Sequence, residues 1–461
     1  MRGSPSWIAD GEENRMRKPT VSRRRFITAA GAGGAALALG AGTGRADAAG
    51  PVPQSGEQVA QDAHRARPLF FDHPLFEAFA HGLVTILQCP LGEVAATAAR
   101  IPEGDYDTWY EAWVATGDRV VGYGDASLAR GHTVSAGDAY RRASLYYAHA
   151  YRPLYGTPLD PRLIAAFEKE SGVFLKAAPL MTPPVEPVEI AYEGTTLPGL
   201  FIRASAAQTP QKTMIVTTGY DSTIYMLYID YLAAVRRGYN VLLFDGPGQG
   251  RALFQQGLVM RPDWERVVTP VVDYALSRPE VDPNRVALHG PSFGGYTAPR
   301  AASGEHRLAA VIADPGLWSI FEAIPARLAL PEEVREHLPN VDPAVLEPFV
   351  QASLANPVGR WALQQRAFMV HGVTTLLEYL RVAREYSLEA VVGQIRCPTL
   401  LTQAESDPLS ANAGKIYDAL RSPKALIRFT DAEGAGDHCE AGNRPLFDQR
   451  AYDWLDEVLG A

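Results

Sequence analysis

Gly290-Pro291-Ser292-Phe293-Gly294-Gly295 sets a serine among glycines between two different kinds of sequence. Upstream, Arg285 to His289 is a short apolar, β-rich run. Downstream, Tyr296 to Ser303 is alanine-rich and helix-compatible. A serine in a sharp strand–turn–helix bend needs neighbours without Cβ atoms, so that backbone and helix can pass closely. Such a bend lifts Oγ clear of the chain and aims the following N–H groups at whatever the serine attacks. Glycine-flanked serines also occur in ordinary turns, so the rest of the chain must supply the partners.

A hydroxyl is a weak nucleophile at neutral pH and needs a base to take its proton. Pro398 to Thr402 reads as a strand and runs into Gln403-Ala404-Glu405-Ser406-Asp407-Pro408. Lys424 to Phe429 reads as the next strand, and the glycine-rich loop Glu433 to His438 follows it. Asp407 and His438 therefore each follow a strand, in the chain order Ser, Asp, His that a strand-end triad requires. Ser292 is then the nucleophile and His438, whose imidazole titrates near neutral pH, the base. Asp407 fixes the ring's tautomer and stabilises the imidazolium. Asp314, after the apolar run Ala309 to Ala313, is the main rival acid, and Glu405 a weaker one. Asp437 is read as capping its own loop. The other nine histidines lack a strand-end setting, and His289 is expected to fill space beneath the serine turn.

The oxyanion formed by such an attack needs two backbone donors. One is Phe293 N–H. The other is expected after the strand Lys212 to Thr218, at Tyr220 with Asp221 next. Asp245-Gly246-Pro247-Gly248-Gln249-Gly250 follows another strand, Tyr239 to Phe244. Its spacing matches neither a P-loop nor a dinucleotide fingerprint, so it is read as a tight crossover with no nucleotide or other cofactor. The three cysteines, Cys89, Cys397 and Cys439, give no disulfide framework and no metal spacing. Cys439 is read as buried beside the histidine.

The elements that must position these residues begin after a targeting segment. Ser22-Arg23-Arg24-Arg25-Phe26-Ile27-Thr28 is a twin-arginine signal, followed by a weakly apolar Ala/Gly-rich run and an A-x-A site at Ala46-Asp47-Ala48. Residues 1–48 are read as the signal peptide, Ala49 as the mature N-terminus and Met16 as an alternative start. The apolar run is too short and glycine-rich for a stable membrane span. The precursor's partner is the twin-arginine export machinery, and the mature protein is expected to be periplasmic, wall-associated or extracellular. Loss of residues 1–48 removes eight Lys/Arg and four Asp/Glu, leaving 35 basic against 48 acidic residues and a net charge of −13. That surface argues against nucleic acid and anionic membranes. With about 400 mature residues, the chain can bury a large core plus an accessory domain.

Phe70 to Pro179 reads as helical, at Pro74–Gln88, Tyr106–Val121, Ala136–Tyr151 and Pro161–Leu175, with a start signal at Ser135-Ala136-Gly137-Asp138. Residues 49–185 form a helical N-terminal domain, ending in a proline-rich linker from Pro179 to Pro187. Trp109, Trp113, Tyr146 and Tyr147 are read as its packing core. Val188–Tyr192 and Leu197–Arg203 form a hairpin with Gly194 at the turn, opening a catalytic domain over 186–461. From about 316 to 394 strand signals vanish. Helices are expected at Ile320–Leu328, Pro331–His337, Pro343–Ala355, Gly359–Met369 and Val373–Ser387. An insertion between the sixth and seventh strands lies over the strand ends, as a cap on the substrate pocket. Trp318, Phe321, Trp361 and Phe368 are candidate pocket lining, and Glu322 a candidate for holding a leaving enolate or a substrate cation.

Tyr140-Arg141-Arg142-Ala143-Ser144-Leu145-Tyr146-Tyr147, the Asp245–Gly250 turn, the Ser292 motif and Gly436-Asp437-His438-Cys439-Glu440 together resemble a group of α/β-hydrolases. The group is related to 2,6-dihydroxypseudooxynicotine hydrolase, the fungal polyketide-shortening hydrolase of melanin synthesis and the bacterial fermentation–respiration switch protein. The resemblance covers nearly the whole mature chain, and His438-Cys439 is its most specific part. It implies an α/β-hydrolase fold, a mostly parallel sheet flanked by helices, with a helical N-terminal domain and a helical cap, often dimeric. It also implies hydrolysis of an ester or of a carbon–carbon bond next to a ketone in a small-molecule substrate, through Ser292, Asp407 and His438. Carbon–carbon cleavage could also proceed by direct attack of activated water. The export signal departs from the intracellular setting expected of such enzymes. Two other readings stand beside it: an exported prolyl-oligopeptidase-type peptidase, which needs an N-terminal β-propeller, and a non-catalytic binding protein on the same scaffold.

Overall fold

The computed structural model describes residues 68–206, 209–327 and 330–460, without the side chains of residues 325–329. The twin-arginine segment, its cleavage site and Met16 lie outside the described residues.

Five helices come first: α1 (Pro74–Thr85), α2 (Leu91–Ala98), α3 (Tyr106–Leu128), α4 (Thr133–Tyr151) and α5 (Pro161–Ala177). Their starts follow local chemistry. Asp105 accepts hydrogen bonds from the N–H groups of Asp107 and Thr108, and Asp160 caps α5 with Pro161 in its first turn. Helix α2 escapes the sequence pattern because only Val94, Thr97 and Ala98 of its eight residues are buried, too few to show a period. Helix α3 runs on past Val121 to Leu128, and α4 starts at Thr133, ahead of the Ser135 signal. Trp109, Trp113, Tyr146 and Tyr147 are buried in this helical layer, with Phe76 and Trp109 ring centroids 4.3 Å apart.

Eight strands follow: β1 (Val185–Tyr192), β2 (Thr195–Ile202), β3 (Gln211–Thr217), β4 (Asn240–Phe244), β5 (Val281–Pro291), β6 (Ala310–Asp314), β7 (Thr399–Ala404) and β8 (Lys424–Phe429). They form one sheet in the order β1-β2-β4-β3-β5-β6-β7-β8. Strand β2 is antiparallel to both its neighbours, and β4 through β8 run parallel. The β1–β2 turn is Glu193-Gly194, both with positive φ, as a two-residue hairpin demands. Strand β1 begins before the expected Val188, because an edge strand tolerates Pro187. Strands β3, β4 and β6 and the second half of β5 are almost wholly buried, so they show no polar–apolar alternation.

Helices α6 (Glu265–Leu276) and α7 (Gly294–Gly304) follow β4 and β5, and α11 (Arg444–Leu459) closes the chain. Between β6 and β7 lie α8 (Ile320–Arg327), α9 (Pro343–Ala355) and α10 (Leu376–Ala383). The helix expected over Gly359–Met369 runs without a break from Pro357 to His371, with a π-helical turn, Trp361–Ala367, in its middle. Helix α10 starts at a Thr375/Glu378 capping box and ends at Ala383, short of Ser387.

Hydrogen bonds tie the helical layer to the rest. Glu170 of α5 accepts hydrogen bonds from Tyr151 Oη and from Thr223 Oγ1, both at 2.6 Å. Trp361 Nε1 donates to Arg152 O at 2.7 Å, joining the β6–β7 insertion to the end of α4.

The turn after β5 is tightly packed. A Cβ on Gly290 would stand 2.0 Å from Gly294 O and 2.8 Å from Ala298 Cβ, and one on Gly295 would stand 1.8 Å from Pro315 O. Gly290→Ala should therefore cost about 1–3 kcal/mol by overpacking. Gly172→Ala, exposed within α5 with nothing within 4 Å of the new methyl, should gain about 0.5–1 kcal/mol. Denaturant unfolding of both variants checks the opposite signs. Burial pushes the Glu170 carboxyl up from 4.5 to about 8. The folded protein keeps a proton there that the unfolded chain releases, so this contribution to stability is full below 4.5, shrinks as pH rises and is gone above about 8. Glu170→Gln should flatten the fall of the unfolding midpoint across that window in pH-dependent thermal melts.

Candidate active site

Strand β5 delivers its last residue, Pro291, to the sheet edge, and Ser292 follows at φ +60°. A non-glycine residue in the left-handed region is held there by its surroundings. Ser292 N–H donates to Asp314 O at 2.6 Å, with Cys439 Sγ 3.1 Å from the same nitrogen. The loop after β3 passes directly over the side chain. A Cβ on Gly219 would come within 2.8 Å of Ser292 Cβ and 3.1 Å of its Oγ, so only glycine lets the loop approach this closely.

The structure brings Ser292, His438 and Asp407 together from three strand ends. Ser292 Oγ lies 2.9 Å from His438 Nε2, and Asp407 Oδ2 lies 2.7 Å from His438 Nδ1. The Asp407 side chain is 1% exposed and that of His438 28%, so the carboxylate is sealed while the ring opens to the cavity. Asp407 Oδ1 also accepts from Leu409 N–H at 3.0 Å, which fixes the carboxylate plane. This arrangement can pass a proton from a hydroxyl to an imidazole whose other nitrogen donates to a carboxylate.

The rival acids are occupied elsewhere. Asp314 is fully buried beneath the turn, bound by Arg444 Nη1 at 2.8 Å and Thr402 Oγ1 at 2.9 Å. Burial alone would raise its carboxyl, but His289 and Arg444 hold it well below the usual range. Glu405 accepts from Asp431 N–H at 2.9 Å in the loop after β8. His289 lies under the turn, fully buried and stacked on Phe447, with Nδ1 3.0 Å from Tyr231 Oη. Burial lowers its pKa, against the raising influence of Asp314. Asp437 immediately precedes the one-turn 3-10 helix His438–Glu440.

Phe293 and Tyr220, the expected oxyanion donors, line the same cavity, and their rings stack at 4.3 Å. Tyr220 Oη is 2.6 Å from His371 Nε2, which pins the loop to the β6–β7 insertion. The Asp245–Gly250 turn braces this loop from below, with Gln249 Nε2 donating to Thr218 O at 2.6 Å and Gln249 Oε1 accepting from Gly246 N–H at 2.8 Å. Among the described residues no cluster of His, Cys, Asp and Glu has the geometry of a metal site.

The cavity over Ser292 is mostly apolar and is walled by three parts of the chain. Helix α1 contributes Leu75, Phe79 and Gly82, with Ile86 just past its end, the strand-end loops contribute the residues above, and the β6–β7 insertion contributes Ile324, Trp361, Arg366 and Tyr379. The insertion thus roofs the cavity. Of the expected aromatic lining, Trp361 is in the wall. Trp318 instead donates Nε1 to Glu322 at 3.1 Å, Phe321 lies under Arg384, and Phe368 packs 6.0 Å from Tyr379. Glu322 is not in the cavity wall; its Oε2 accepts from Asn412 Nδ2 at 3.1 Å and from Lys415 Nζ at 2.5 Å, which holds it at the segment after β7. Missing from the sequence expectations are Arg152, Asp230, Arg366 and Arg444, all in the cavity wall. Arg366 left one trace in the sequence, a cation inside the apolar run Trp361 to Val370.

The comparisons agree with this architecture. A family model described as "Alpha/beta hydrolase family" matches residues 215–450. Hydrolase acrC of Aspergillus aculeatus is 34% identical over 404 residues, spanning 79% of this chain and 91% of its own length. The 20-hydroxy-prefusarin hydrolase FUS2 of Gibberella moniliformis is 33% identical over 403 residues, spanning 82% and 94%. Among solved structures, 2,6-dihydroxy-pseudo-oxynicotine hydrolase superposes with a TM-score of 0.64 at 22% identity, over 82% of this chain and 96% of that one. The similarity over 79% and 82% of its length and the matching sheet together make this chain a hydrolase of the alpha/beta hydrolase family.

Proposed function

We propose that this protein is an exported serine hydrolase that cleaves an ester, or a carbon–carbon bond next to a ketone, in a small organic substrate. The observation that carries the reading is the Ser292–His438–Asp407 relay, with contacts of 2.9 and 2.7 Å, opening onto a mainly apolar cavity. Ser292 Oγ attacks the substrate carbonyl as His438 Nε2 takes its proton, and Asp407 stabilises the imidazolium. Phe293 and Tyr220 N–H groups receive the oxyanion. On collapse of the tetrahedral adduct, His438 gives the proton to the departing alkoxide or enolate carbon. Water then repeats the steps on the acyl-enzyme and frees the acid.

The names of the relatives support a small-molecule substrate: one is a 20-hydroxy-prefusarin hydrolase and another a 2,6-dihydroxy-pseudo-oxynicotine hydrolase. The peptidase reading loses its footing because residues 74–177 fold as helices, not as strand repeats. Export rests on Ser22–Thr28 and the Ala46-Asp47-Ala48 site in the sequence.

A fluorophosphonate probe should label the wild type and leave Ser292→Ala unlabelled; undiminished labelling of the variant would sink the assignment. Ser292→Ala and His438→Ala should each lower kcat on a short-chain acyl ester by about 10⁴-fold or more. Product analysis on aryl esters and aryl β-diketones then assigns the bond. In a host with twin-arginine export, Arg23→Lys combined with Arg24→Lys should leave the precursor uncleaved inside the cell, whereas the wild type yields a mature N-terminus at Ala49, as read by N-terminal mapping.

A further inference from the structure

Two arginines and one aspartate meet in the cavity wall beside Ser292. Asp221 follows Gly219 by two residues, on the loop that presses against Ser292 Oγ. Its Oδ2 lies 2.8 Å from Nη2 of Arg152, at the end of α4, and 3.5 Å from Nη1 of Arg366, in the π-helical turn of the insertion. The side chains are 16% exposed for Arg152 and Asp221 and 8% for Arg366, and all three line the same cavity as Ser292 and His438. Burial opposes ionisation of Asp221, yet the two guanidiniums hold its carboxyl below the ordinary value. The cluster is therefore two cations against one anion.

Among the described residues, the side-chain ion pairs of Arg152 and Arg366 both run to the single carboxylate of Asp221. A guanidinium carries five N–H donors. The buried Nε atoms of both Arg152 and Arg366 make no hydrogen bond. What surrounds them is aromatic: Arg366 lies 4.7 Å over Trp361 and 5.5 Å over Tyr220, and Arg152 lies 4.6 Å over Phe79. Ring faces attract a cation but offer no lone pair in the plane of the fork. A buried, uncompensated guanidinium is costly, and an anionic oxygen is the group that matches its geometry.

We propose that Arg366 and Arg152, braced by Asp221, form an anion-recognition site that selects substrates carrying an ionised oxygen group, a carboxylate or an acidic enolate, on an apolar body. This takes its location relative to the scissile carbonyl from the serine-hydrolase reading, but the binding itself does not depend on that reading. The apolar walls of α1 hold the body, and the cation pair sets which end of the molecule faces Ser292. Arg366 and Arg152 are specificity-determining residues in this assignment.

The test is calorimetric titration of mature Ser292→Ala protein, so that no probe is consumed. The carboxylate arm compares 4-phenylbutyrate with 4-phenylbutanamide, and the enolate arm compares 5-phenylcyclohexane-1,3-dione with 3-phenylcyclohexanone. At least one anion should bind about tenfold or more tightly than its neutral partner. The arm that shows the preference identifies the group. Adding Arg366→Gln should abolish the preference while moving the neutral probe less than twofold, and Arg366→Lys should restore part of it. Arg152→Gln gives a second reading should Arg366→Gln fold poorly. Equal binding of anions and neutrals by Ser292→Ala protein, or a preference that survives both substitutions, overturns the proposal. Loss of fluorophosphonate labelling at Ser292 in otherwise wild-type protein would strike the hydrolase reading instead and leave the titration result standing.

Discussion

Ser292 at φ +60° is the constraint around which the rest of the structure is arranged. Left-handed backbone at a residue with a Cβ costs about 1–2 kcal/mol and persists only where neighbours leave no alternative. Here Gly290 lets α7 turn back within touching distance of β5, Gly295 lets it pass the backbone of Pro315, and Asp314 O holds the Ser292 amide. The buried Asp314–Arg444 pair locks that carbonyl's own segment, and Arg444 also donates to Cys439 O. One ion pair thus fixes both the serine turn and the loop that follows His438. That loop is strained in its turn, with Cys439 and Glu440 at φ +54° and +49°.

Because the hydroxyl is positioned from beneath, everything above it is free to serve binding. The helical layer and the β6–β7 insertion close over the strand ends and meet each other through Trp361 and Arg152. Glu170, reaching from α5 to Thr223, ties the helical layer to the loop that carries Gly219 and Asp221. A displacement of the helices would therefore be felt within a few residues of Ser292. Coupling of this kind makes the helical region part of the cavity rather than an appendage.

Much of the architecture was legible because burial leaves a strong mark on composition. Strands β4 and β6 and the second half of β5 are largely apolar runs, and the glycines around Ser292 are needed for reasons a sequence displays directly. Asp407 and His438 could be read because each follows a strand. Separating Asp407 from Asp314 was a different matter, since both stand at strand ends. Only the packing shows that Asp314 is spent on Arg444 and Thr402, while the Asp407 carboxylate reaches the ring. Helix α2 and the pairing of Glu322 with Asn412 and Lys415 also escaped, the first for want of buried residues and the second because its partners lie some ninety positions away.

The sequence by itself determined the order of the chemical groups and the sheet that carries them, because local propensity and burial act over short stretches of chain. Tertiary structure alone decided the cation cluster. Residues five apart on an α-helix diverge by about 140°, yet the π-helical turn puts the Arg366 guanidinium over the Trp361 ring. Arg152 and Asp221 arrive from segments 69 positions apart. No local pattern encodes such a meeting, since it depends on how helices, strands and loop are packed against one another.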